Sequence, residues 1–357
     1  MNVLADTNLL ADTLAAIHPV DPEIGRRTKA RLDQKTKPPG SLGRLEEVAV
    51  RVAAARGAEV PPLPVKAVVV MAADHGVAAE GVSAYPPEVT AQMVANFARG
   101  GAAINVLARA AGAEVVVVDM GVRAPVSLPG VLARRIGPCT RNFAAEPAMS
   151  RAEAVAALEA GIALARDLVG RGVTLLGAGE MGIGNTTAAS ALSACLLGRR
   201  PEELVGRGTG VDEAGLARKR EVIRRALALH AATGLDPVDA LARLGGFEIA
   251  GMAGLALGAA ACRIPLLVDG FISSAAALAA VRIAPDAAGY LLLSHRSAEP
   301  GHRLVAEALG LRPLLDLELR LGEGTGAALA MPLVDAALRI LHEMATFADA
   351  GVSARSP

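Results

Sequence analysis

Short runs rich in Val, Leu and Ile alternate with longer alanine-rich segments from about residue 65 onward, and this alternation restricts the fold more than any other feature of the chain. Apolar runs of this length indicate buried strands, and the segments between them have the length and composition of helices. Strands that alternate with helices pair in parallel, because each helix carries the chain back to the edge where the next strand begins. The pattern therefore predicts an α/β fold with a doubly wound, mostly parallel sheet. The predicted strands are 65–73, 114–118, 173–176, 264–268, 290–293 and 313–319.

Capping and periodicity signals predict helices between these strands. Ser150 and Glu153 form a capping box ahead of a periodic stretch that ends near residue 170. Further helices are predicted at 185–197, 212–232 and 326–348.

The first sixty residues differ in pattern from the rest of the chain. They contain helical stretches and the turn-rich segment 35–43 but no predicted strand, and the proline-rich connector 61–64 separates them from the first strand. We therefore predict a small helical domain of residues 1–60, completed by residues 333–357, beside a large α/β domain of residues 61–332.

Composition excludes several classes of function. The 357 residues are 52% hydrophobic, enough for a large core, and 36 basic side chains balance 36 acidic ones. A chain without net charge has no overall field to attract nucleic acid or acidic membranes. We therefore expect small-molecule chemistry, with no nucleic-acid or membrane partner.

The cysteines and the apolar tracts bear on cellular location. Cys139, Cys195 and Cys262 are too few and too widely spaced for a disulfide framework or a zinc site. The N-terminal segment has no basic region and carries an acidic residue, Asp6, near its start, so it does not have the pattern of a secretory signal. The most apolar tract, 249–262, is too short to cross a bilayer. These features predict a cytoplasmic protein with reduced thiols and no transmembrane segment.

The segment GAGEMGIGNTTAAS, residues 177–190, has the glycine spacing of a dinucleotide-binding loop. That motif also needs a second strand ending in an acidic residue about 20 positions later, and here a polar loop follows instead. No Lys-Ser or Lys-Thr pair ends the segment, so it is not a Walker loop. Asn185 and Thr186 lie where the loop enters a helix, and free backbone N–H groups there could bind one phosphate. The alternative is an ordinary capped helix start behind a tight turn.

Carboxylates follow most of the predicted strands. In a parallel sheet, ligands bind beyond the carboxyl ends of the strands. Any one of these carboxylates could serve only to cap a loop, but five of six at one edge predict a polar cleft. The strand ends read Asp74-His75-Gly76, Asp119-Met120-Gly121, Gly179-Glu180-Met181, Asp269-Gly270-Phe271, Ser294-His295-Arg296 and Gly322-Glu323-Gly324.

Known catalytic motifs do not account for this cleft. The sequence contains no H-E-x-x-H, D-x-D or Cys/His cluster, so we predict no metal site, and it has no G-x-S-x-G elbow of a serine hydrolase. The remaining role for the carboxylates is as bases or as stabilisers of positive charge.

Eight ordered motifs spanning nearly the whole chain resemble the nicotinate-nucleotide:5,6-dimethylbenzimidazole phosphoribosyltransferases, which assemble the lower ligand of cobalamin. Any one of these motifs is weak evidence alone, but eight in order are highly specific. They are KPPGSLGRLE (37–46), ADHGV (73–77), YPPEVT (85–90), GEMGIGNTT (179–187), GRGTG (206–210), LVDGF (267–271), SHRSAE (294–299) and RLGEGTGAALAMP (320–332).

The resemblance implies an enzyme that transfers the phosphoribosyl group of nicotinate mononucleotide to a ring nitrogen of 5,6-dimethylbenzimidazole. The products would be nicotinate and α-ribazole 5′-phosphate. It also implies a Rossmann-like large domain, a small domain formed by both ends of the chain, a homodimer, and no cofactor or metal.

The resemblance assigns catalytic roles to two glutamates in glycine-flanked loops. Glu323 would accept the proton that the benzimidazole loses, and Glu180 would lie near the reacting ribose carbon and stabilise its developing positive charge. Burial in an apolar pocket and a hydrogen bond to the ring N–H would suit Glu323 to accept this proton.

The resemblance also assigns two binding regions. The 5′-phosphate would contact five residues of three motifs together with a lysine outside them: Gly182, Asn185, Thr186, Gly208, Ser297 and Lys219. Lys219 taken alone is typical of a solvated helix charge. The benzimidazole would contact Tyr85, Met93 and Leu321, and because only 2% of the residues are aromatic, we expect mainly aliphatic walls. Some family members have polar residues where this chain has Tyr85 and Met93, which bears on acceptor preference.

Other polar residues at the strand ends are expected to be structural. Asp74, His75 and Asp269 are predicted to organise loops, Asp119 to be purely structural, and His295 to be a hydrogen-bonded structural group. Two alternative functions stay open at this point: a nicotinate-nucleotide glycohydrolase, which uses water as acceptor, and a nucleotide-binding regulatory protein without catalysis.

Overall fold

The computed structural model describes residues 8–353 and contains one six-stranded sheet in which every pairing is parallel. The strands are β1 (Lys66–Ala73), β2 (Ala113–Gly121), β3 (Val131–Ala133), β4 (Leu175–Met181), β5 (Leu266–Val268) and β6 (Leu291–Leu293). Their order is β3-β2-β1-β4-β5-β6, so the winding reverses between β1 and β4. Residues 1–7 and 354–357 lie outside the described residues. The prediction that the N-terminal segment with Asp6 is not a secretory signal falls on the first of these stretches.

Helices connect the strands and cover both faces of the sheet. They are α1 (Leu9–Ala16), α2 (Pro22–Asp33), α3 (Arg44–Arg56), α4 (Glu88–Arg99), α5 (Ala103–Ala111), α6 (Arg151–Gly170), α7 (Asn185–Leu197), α8 (Pro201–Leu204), α9 (Glu213–Leu229), α10 (Pro237–Leu244), α11 (Phe247–Ala261), α12 (Phe271–Ile283), α13 (Pro300–Ala308), α14 (Thr325–Glu343) and α15 (Phe347–Ala350). Short 3₁₀ turns occupy Gly76–Glu80 and Pro285–Tyr290.

The strands supply alternate residues to two separate cores. In β1, Val69 and Met71 pack with α6 and α11, whereas Val68 and Val70 pack on the opposite face with α3, α5 and α14. Successive strand side chains point to opposite faces, so a strand covered by helices on both sides is apolar throughout. This double burial explains the continuous apolar runs of the sequence and confirms the predicted doubly wound α/β fold.

Five of the predicted strands are present with shifted ends, and the sixth prediction is wrong. Residues 313–319 run beside the end of β6 but form only one isolated bridge, between Leu315 and His295, and Leu317 is exposed. The sixth strand is instead β3, a three-residue edge strand that is too short and too exposed to give an apolar run. β4 also continues through Gly177 to Met181, a stretch whose glycines are typical of a loop.

The helices of the first sixty residues lie on both faces of the sheet. α3 packs against α2 and α14, while α1 contacts α6 and α11 on the other side. The division into a small domain of residues 1–60 with 333–357 and a large domain of residues 61–332 stays a prediction. Within residues 8–353, no helix is both long and apolar enough to cross a membrane.

Candidate active site

A cavity of about 500 Å³ opens at the carboxyl edge of the sheet, beside the point where the winding reverses. Ligands of doubly wound folds bind at this position. Ten of the eleven residues predicted for the site line the cavity, and the eleventh, Lys219, is buried behind two of them. The ten are Tyr85, Met93, Glu180, Gly182, Asn185, Thr186, Gly208, Ser297, Leu321 and Glu323.

Glycines bring the two glutamate loops together, each making room for the other loop. A Cβ atom on Gly179 would lie 2.4 Å from the backbone oxygen of Glu323, and one on Gly322 would lie 2.2 Å from Oε1 of Glu180. Both separations are far inside van der Waals contact, so neither position can carry a side chain in this backbone. Of the glycines that resemble a dinucleotide loop, Gly179 therefore serves close packing of β4 against the loop before α14.

Glu323 adopts a backbone conformation that is rare for a residue with a side chain. Its φ of 63° lies in the left-handed region, and its neighbours Gly322 and Gly324 share that region with φ of 83° and 87°. Such a conformation costs a non-glycine residue roughly 1–2 kcal/mol. The turn directs the carboxylate into the cavity wall, where Oε2 accepts the backbone N–H of Ile104 at 3.3 Å. Burial raises the pKa of the Glu323 carboxyl.

Glu180 ends β4 and is almost completely buried. The side-chain amide of Asn185 donates a hydrogen bond to its Oε2. Burial raises the pKa of Glu180 to about 8, and the nearby carboxylates of Glu248, Asp269 and Glu323 add to this effect. A carboxyl with this pKa is mostly protonated at neutral pH, and a positive charge bound nearby would favour its ionised form.

Asp269 forms the cavity floor beneath the Glu323 loop. Its two oxygens accept the backbone N–H groups of Gly324 at 3.2 Å and Ala327 at 3.0 Å, so it caps the start of α14. Burial raises its pKa to about 7 despite these hydrogen bonds. His295 lies 3.7 Å from Asp269, and burial lowers the pKa of His295 to about 4, which leaves it neutral.

The predicted phosphate residues converge on the start of α7. Lys219 extends from α9 and donates from Nζ to the Thr186 hydroxyl at 2.9 Å. Gly208 has φ of 53°, and a Cβ there would lie 2.7 Å from the Thr186 hydroxyl and 3.0 Å from Lys219 Nζ. Burial lowers the pKa of Lys219 to about 8, so an anion in the cavity would favour its charged form. A solvated helix charge is therefore the wrong interpretation of Lys219.

Glu299 is a buried residue of this region to which sequence reasoning gave no role of its own. Its Oε1 accepts the backbone N–H of Gly208 at 3.0 Å, so Gly208 contributes space and its N–H already has a partner. Ser297 accepts the N–H of Glu299 at 3.3 Å, which leaves the Ser297 hydroxyl hydrogen free to donate. Arg320, also without a role from the sequence, lines the cavity and donates to the Gly208 carbonyl at 3.3 Å. The SHRSAE and RLGEG motifs contained both residues, but only the folded chain shows what they contact.

The opposite wall of the cavity is largely apolar. Tyr85 and Leu321 are 55% and 58% exposed at its mouth, and Met93 lies half-buried on α4. Val89 and Phe271 extend the wall inward. The cavity thus combines an apolar side with an acidic floor.

The cavity lining does not include Asp74, His75 or Asp119, which also lie at the carboxyl ends of strands in the sheet. Asp74 accepts the backbone N–H of Arg123 at 2.7 Å, and Asp119 accepts those of Gly121 and Val122. His75 pairs with Glu248, a residue to which the sequence gave no role. Asp74 and Asp119 hold loops, as expected. Among the described residues, no three His, Cys, Asp or Glu side chains are grouped so as to hold a metal ion.

Fold and cavity together define a doubly wound α/β protein with buried carboxylates in a cavity of a size that suits a small molecule. A family model described as phosphoribosyltransferase matches residues 17–352, and the chain belongs to this family. The family resemblance and the enzyme class drawn from the motifs are thereby confirmed.

Individual relatives are similar over nearly their whole length. The nicotinate-nucleotide–dimethylbenzimidazole phosphoribosyltransferase of Chloroflexus aggregans is 56% identical over 97% of this chain and 98% of its own. The protein of the same name from a Roseiflexus species is 56% identical over 98% and 99%. A crystal structure of CobT from Thermus thermophilus superposes with a TM-score of 0.90 at 56% identity, covering 94% of this chain and all of that one.

Proposed function

We propose that this protein transfers the phosphoribosyl group of nicotinate mononucleotide to 5,6-dimethylbenzimidazole, giving nicotinate and α-ribazole 5′-phosphate for the lower ligand of cobalamin. The observation that carries the proposal is the pair of buried glutamates, Glu180 and Glu323, which meet through reciprocal glycines in one cavity with an apolar wall. The names of the similar proteins support the same reaction.

The leaving group needs no acid catalyst. In the substrate, the ring nitrogen bonded to the ribose is a positively charged pyridinium. When this bond breaks, the nitrogen keeps the electron pair and becomes neutral, so nicotinate leaves without needing a proton. Positive charge then grows on the ribose carbon. Glu180, once ionised, stabilises that charge in a site of low dielectric constant. Its proton is released when the nucleotide binds, because the positively charged pyridinium beside it lowers the pKa of the carboxyl.

The incoming base does need a proton acceptor. When one ring nitrogen of the benzimidazole bonds to the ribose carbon, the N–H on the other side of the ring becomes acidic. Glu323 accepts this proton, and its raised pKa makes it a better base than an exposed glutamate. The apolar wall of Val89, Met93 and Leu321 receives the methylated ring.

Thr186, Lys219 and Ser297 are proposed to hold the 5′-phosphate, with Gly182, Asn185 and Gly208 shaping the space around it. The Thr186 hydroxyl accepts from Lys219, so its own hydrogen is free to donate to a phosphate oxygen. At the start of α7 the backbone N–H groups of Asn185 and Thr187 already donate to the carbonyls of Gly182 and Gly184, so the N–H of Thr186 is the further donor proposed there.

Stereochemistry follows from a single displacement. The substrate carries its base on the β face, and in the proposed mechanism Glu180 stabilises the ribose carbon by its charge without bonding to it, so the transfer is one direct displacement. One attack from the opposite face inverts the carbon, so the product is the α-riboside. NMR of the isolated product determines the configuration, and a β product would contradict direct displacement.

One assay separates this function from its rivals. Nicotinate release from nicotinate mononucleotide is followed with and without dimethylbenzimidazole. Transfer requires the acceptor, a glycohydrolase releases nicotinate without it, and a regulatory binding protein releases none. A panel of benzimidazole, purine and phenolic acceptors then defines the preference that Tyr85 and Met93 impose.

We also propose an assembly and a cellular location for this protein. The motif resemblance supports a homodimer, which light scattering coupled to size-exclusion chromatography tests. The free thiols of Cys139, Cys195 and Cys262 support a cytoplasmic protein, and fractionation of the source cells tests it.

A further inference from the structure

A buried histidine–glutamate pair lies behind the cavity and has no part in the reaction as described above. His75 follows β1, and Glu248 belongs to the first turn of α11. Nε2 of His75 lies 2.6 Å from Oε1 of Glu248, and both side chains are completely buried. Gly246 makes room for the pair, because a Cβ there would lie 2.2 Å from Cε1 of His75.

The unpartnered atoms of the pair indicate its charge. Nδ1 of His75 and Oε2 of Glu248 have no hydrogen-bond partner within residues 8–353. A hydrogen on Nδ1 would be a buried donor without an acceptor, which costs more than an acceptor left free. The neutral ring with its hydrogen on Nε2 fits this environment, so the pair keeps the single negative charge of Glu248.

This charge lies directly behind the part of the cavity that holds Glu180. Oε1 of Glu248 is 3.2 Å from the point that a Cβ of Gly182 would occupy, and Nδ2 of Asn185 is 3.3 Å from the same point. That Asn185 amide donates to Glu180. Because Gly182 has no side chain, only backbone separates the buried Glu248 from the cavity.

We propose that Glu248, held by His75, is a positioning residue that sets the electrostatics of the Glu180 side of the cavity, opposing ionisation of Glu180 until the positively charged pyridinium of the nucleotide binds. The inference rests on the proposed transfer reaction. In the transition state, the charge of Glu248 adds to that of Glu180 in stabilising the cationic ribose. The alternative is a purely structural pair, which joins the end of β1 to α11 and has no effect on the ionisation of Glu180.

Other charged groups also face this region. Glu180 is faced by Glu248, Asp269 and Glu323, and their charges all raise the pKa of its carboxyl. Glu248 lies close enough to Cys139 for its charge to raise the pKa of that thiol, as does the charge of Asp74. Burial and a backbone hydrogen bond account for the pKa shift of Glu323, so a change in Glu248 acts on Glu180 rather than on Glu323.

Glu248→Gln tests the proposal, because glutamine keeps the oxygen that faces His75 and removes the charge. At pH 9, where Glu180 is ionised in both proteins, we expect kcat to fall about tenfold, equivalent to about 1.4 kcal/mol, with little change in KM for nicotinate mononucleotide. The ascending limb of kcat/KM should move to lower pH by about half a unit or more, because loss of a like charge lowers the pKa of Glu180. A Glu180→Gln enzyme lacks the limb that Glu180 produces, so adding Glu248→Gln to it should leave the remaining pH profile unchanged.

Asp119→Asn is the matched control, since it neutralises another buried carboxylate at the same sheet edge outside the cavity. A folded Glu248→Gln enzyme with wild-type kcat and an unmoved limb would overturn the inference while the wild-type assay still upheld the transfer reaction. Should the variant not fold, ¹⁵N NMR of wild-type His75 at pH 7.5 decides the matter. Hydrogen on Nε2 alone supports the charged pair, and hydrogens on both nitrogens make the pair neutral and refute it.

Discussion

Asp119 and Glu180 occupy equivalent places at the ends of two strands, yet their surroundings differ completely. Asp119, on the β2 side of the sheet, accepts two backbone N–H groups and pairs with Arg135 at 2.5 Å. Glu180, on the β4 side, receives one amide hydrogen bond and faces three other carboxylates. Both side chains are buried.

The comparison shows that the partners of a carboxylate, rather than its position in the fold, separate structural from reactive roles. A carboxylate that backbone donors and an arginine already satisfy gains nothing from a ligand. A carboxylate buried with weak compensation is held near its neutral state and gains a favourable interaction when a cation arrives. The β4 side of the edge is therefore poised for a ligand, and the β2 side is already complete.

The largest expected effect comes from Glu323→Gln, which removes the proton acceptor and keeps the shape. The rate should fall about 10²- to 10⁴-fold, the usual consequence of losing a general base, while both substrates still bind. Single-turnover release of nicotinate measures the rate, and calorimetry measures binding. A rate within twofold of wild type would remove Glu323 from the mechanism.

Glu180→Gln should have the next largest effect, a loss of about ten- to a hundredfold in kcat from one missing charge in a site of low dielectric constant. It should also alter the pH dependence of stability. The raised pKa means that folded Glu180 keeps its proton where the unfolded chain has lost it, so its stabilising contribution is complete below about pH 4.5 and is lost as the pH rises through about 8. Between pH 5 and pH 9 the melting temperature should fall less for the variant than for the wild-type protein. Equal falls in the two proteins would contradict a raised pKa of Glu180.

Lys219→Ala should act on substrate binding. A phosphate contact present in both ground and transition states contributes uniform binding, so KM for nicotinate mononucleotide should rise about tenfold with kcat little changed. Initial rates over a range of nucleotide concentrations measure both constants. If KM does not change, Lys219 only supports Thr186.

Asp119→Asn should have the smallest effect on the reaction. Loss of the charged partner of Arg135 should lower the free energy of unfolding by about 1–3 kcal/mol, while kcat and KM remain those of wild type. Denaturant titration measures the stability. Reduced kcat in a folded variant would show that the two sides of the edge are not separate in function.

Much of this arrangement was accessible from sequence because the signals were local. Runs of apolar residues mark strands buried on both faces, and the residues after each run lie at the ligand-binding edge, which was enough to place Glu180 and Asp269 there alongside Asp74 and Asp119, but not to tell their roles apart. The motif resemblance added Lys219, whose burial beside Thr186 has no local signal on a charged helix.

The features that sequence reasoning missed depend on contacts between distant segments. Glu248 lies on the most apolar helix, 173 positions from His75, and nothing near it in the chain indicates a partner. Glu299 meets Gly208 across 91 positions. Residues 313–319 had the composition of a strand. Most of their backbone hydrogen bonds, however, join residues 294–298 beyond the end of β6, so they form only one isolated bridge.

If Glu323 is the base proposed above, its left-handed backbone places the stability of this protein in opposition to its activity. Glycine at that position would adopt the same turn without strain and would remove a buried carboxylate, so Glu323→Gly should yield a chain at least as stable as the natural one. Directed evolution for heat resistance alone would therefore accumulate inactive enzymes at this codon. An engineering programme on this protein has to couple every round of thermal selection to turnover.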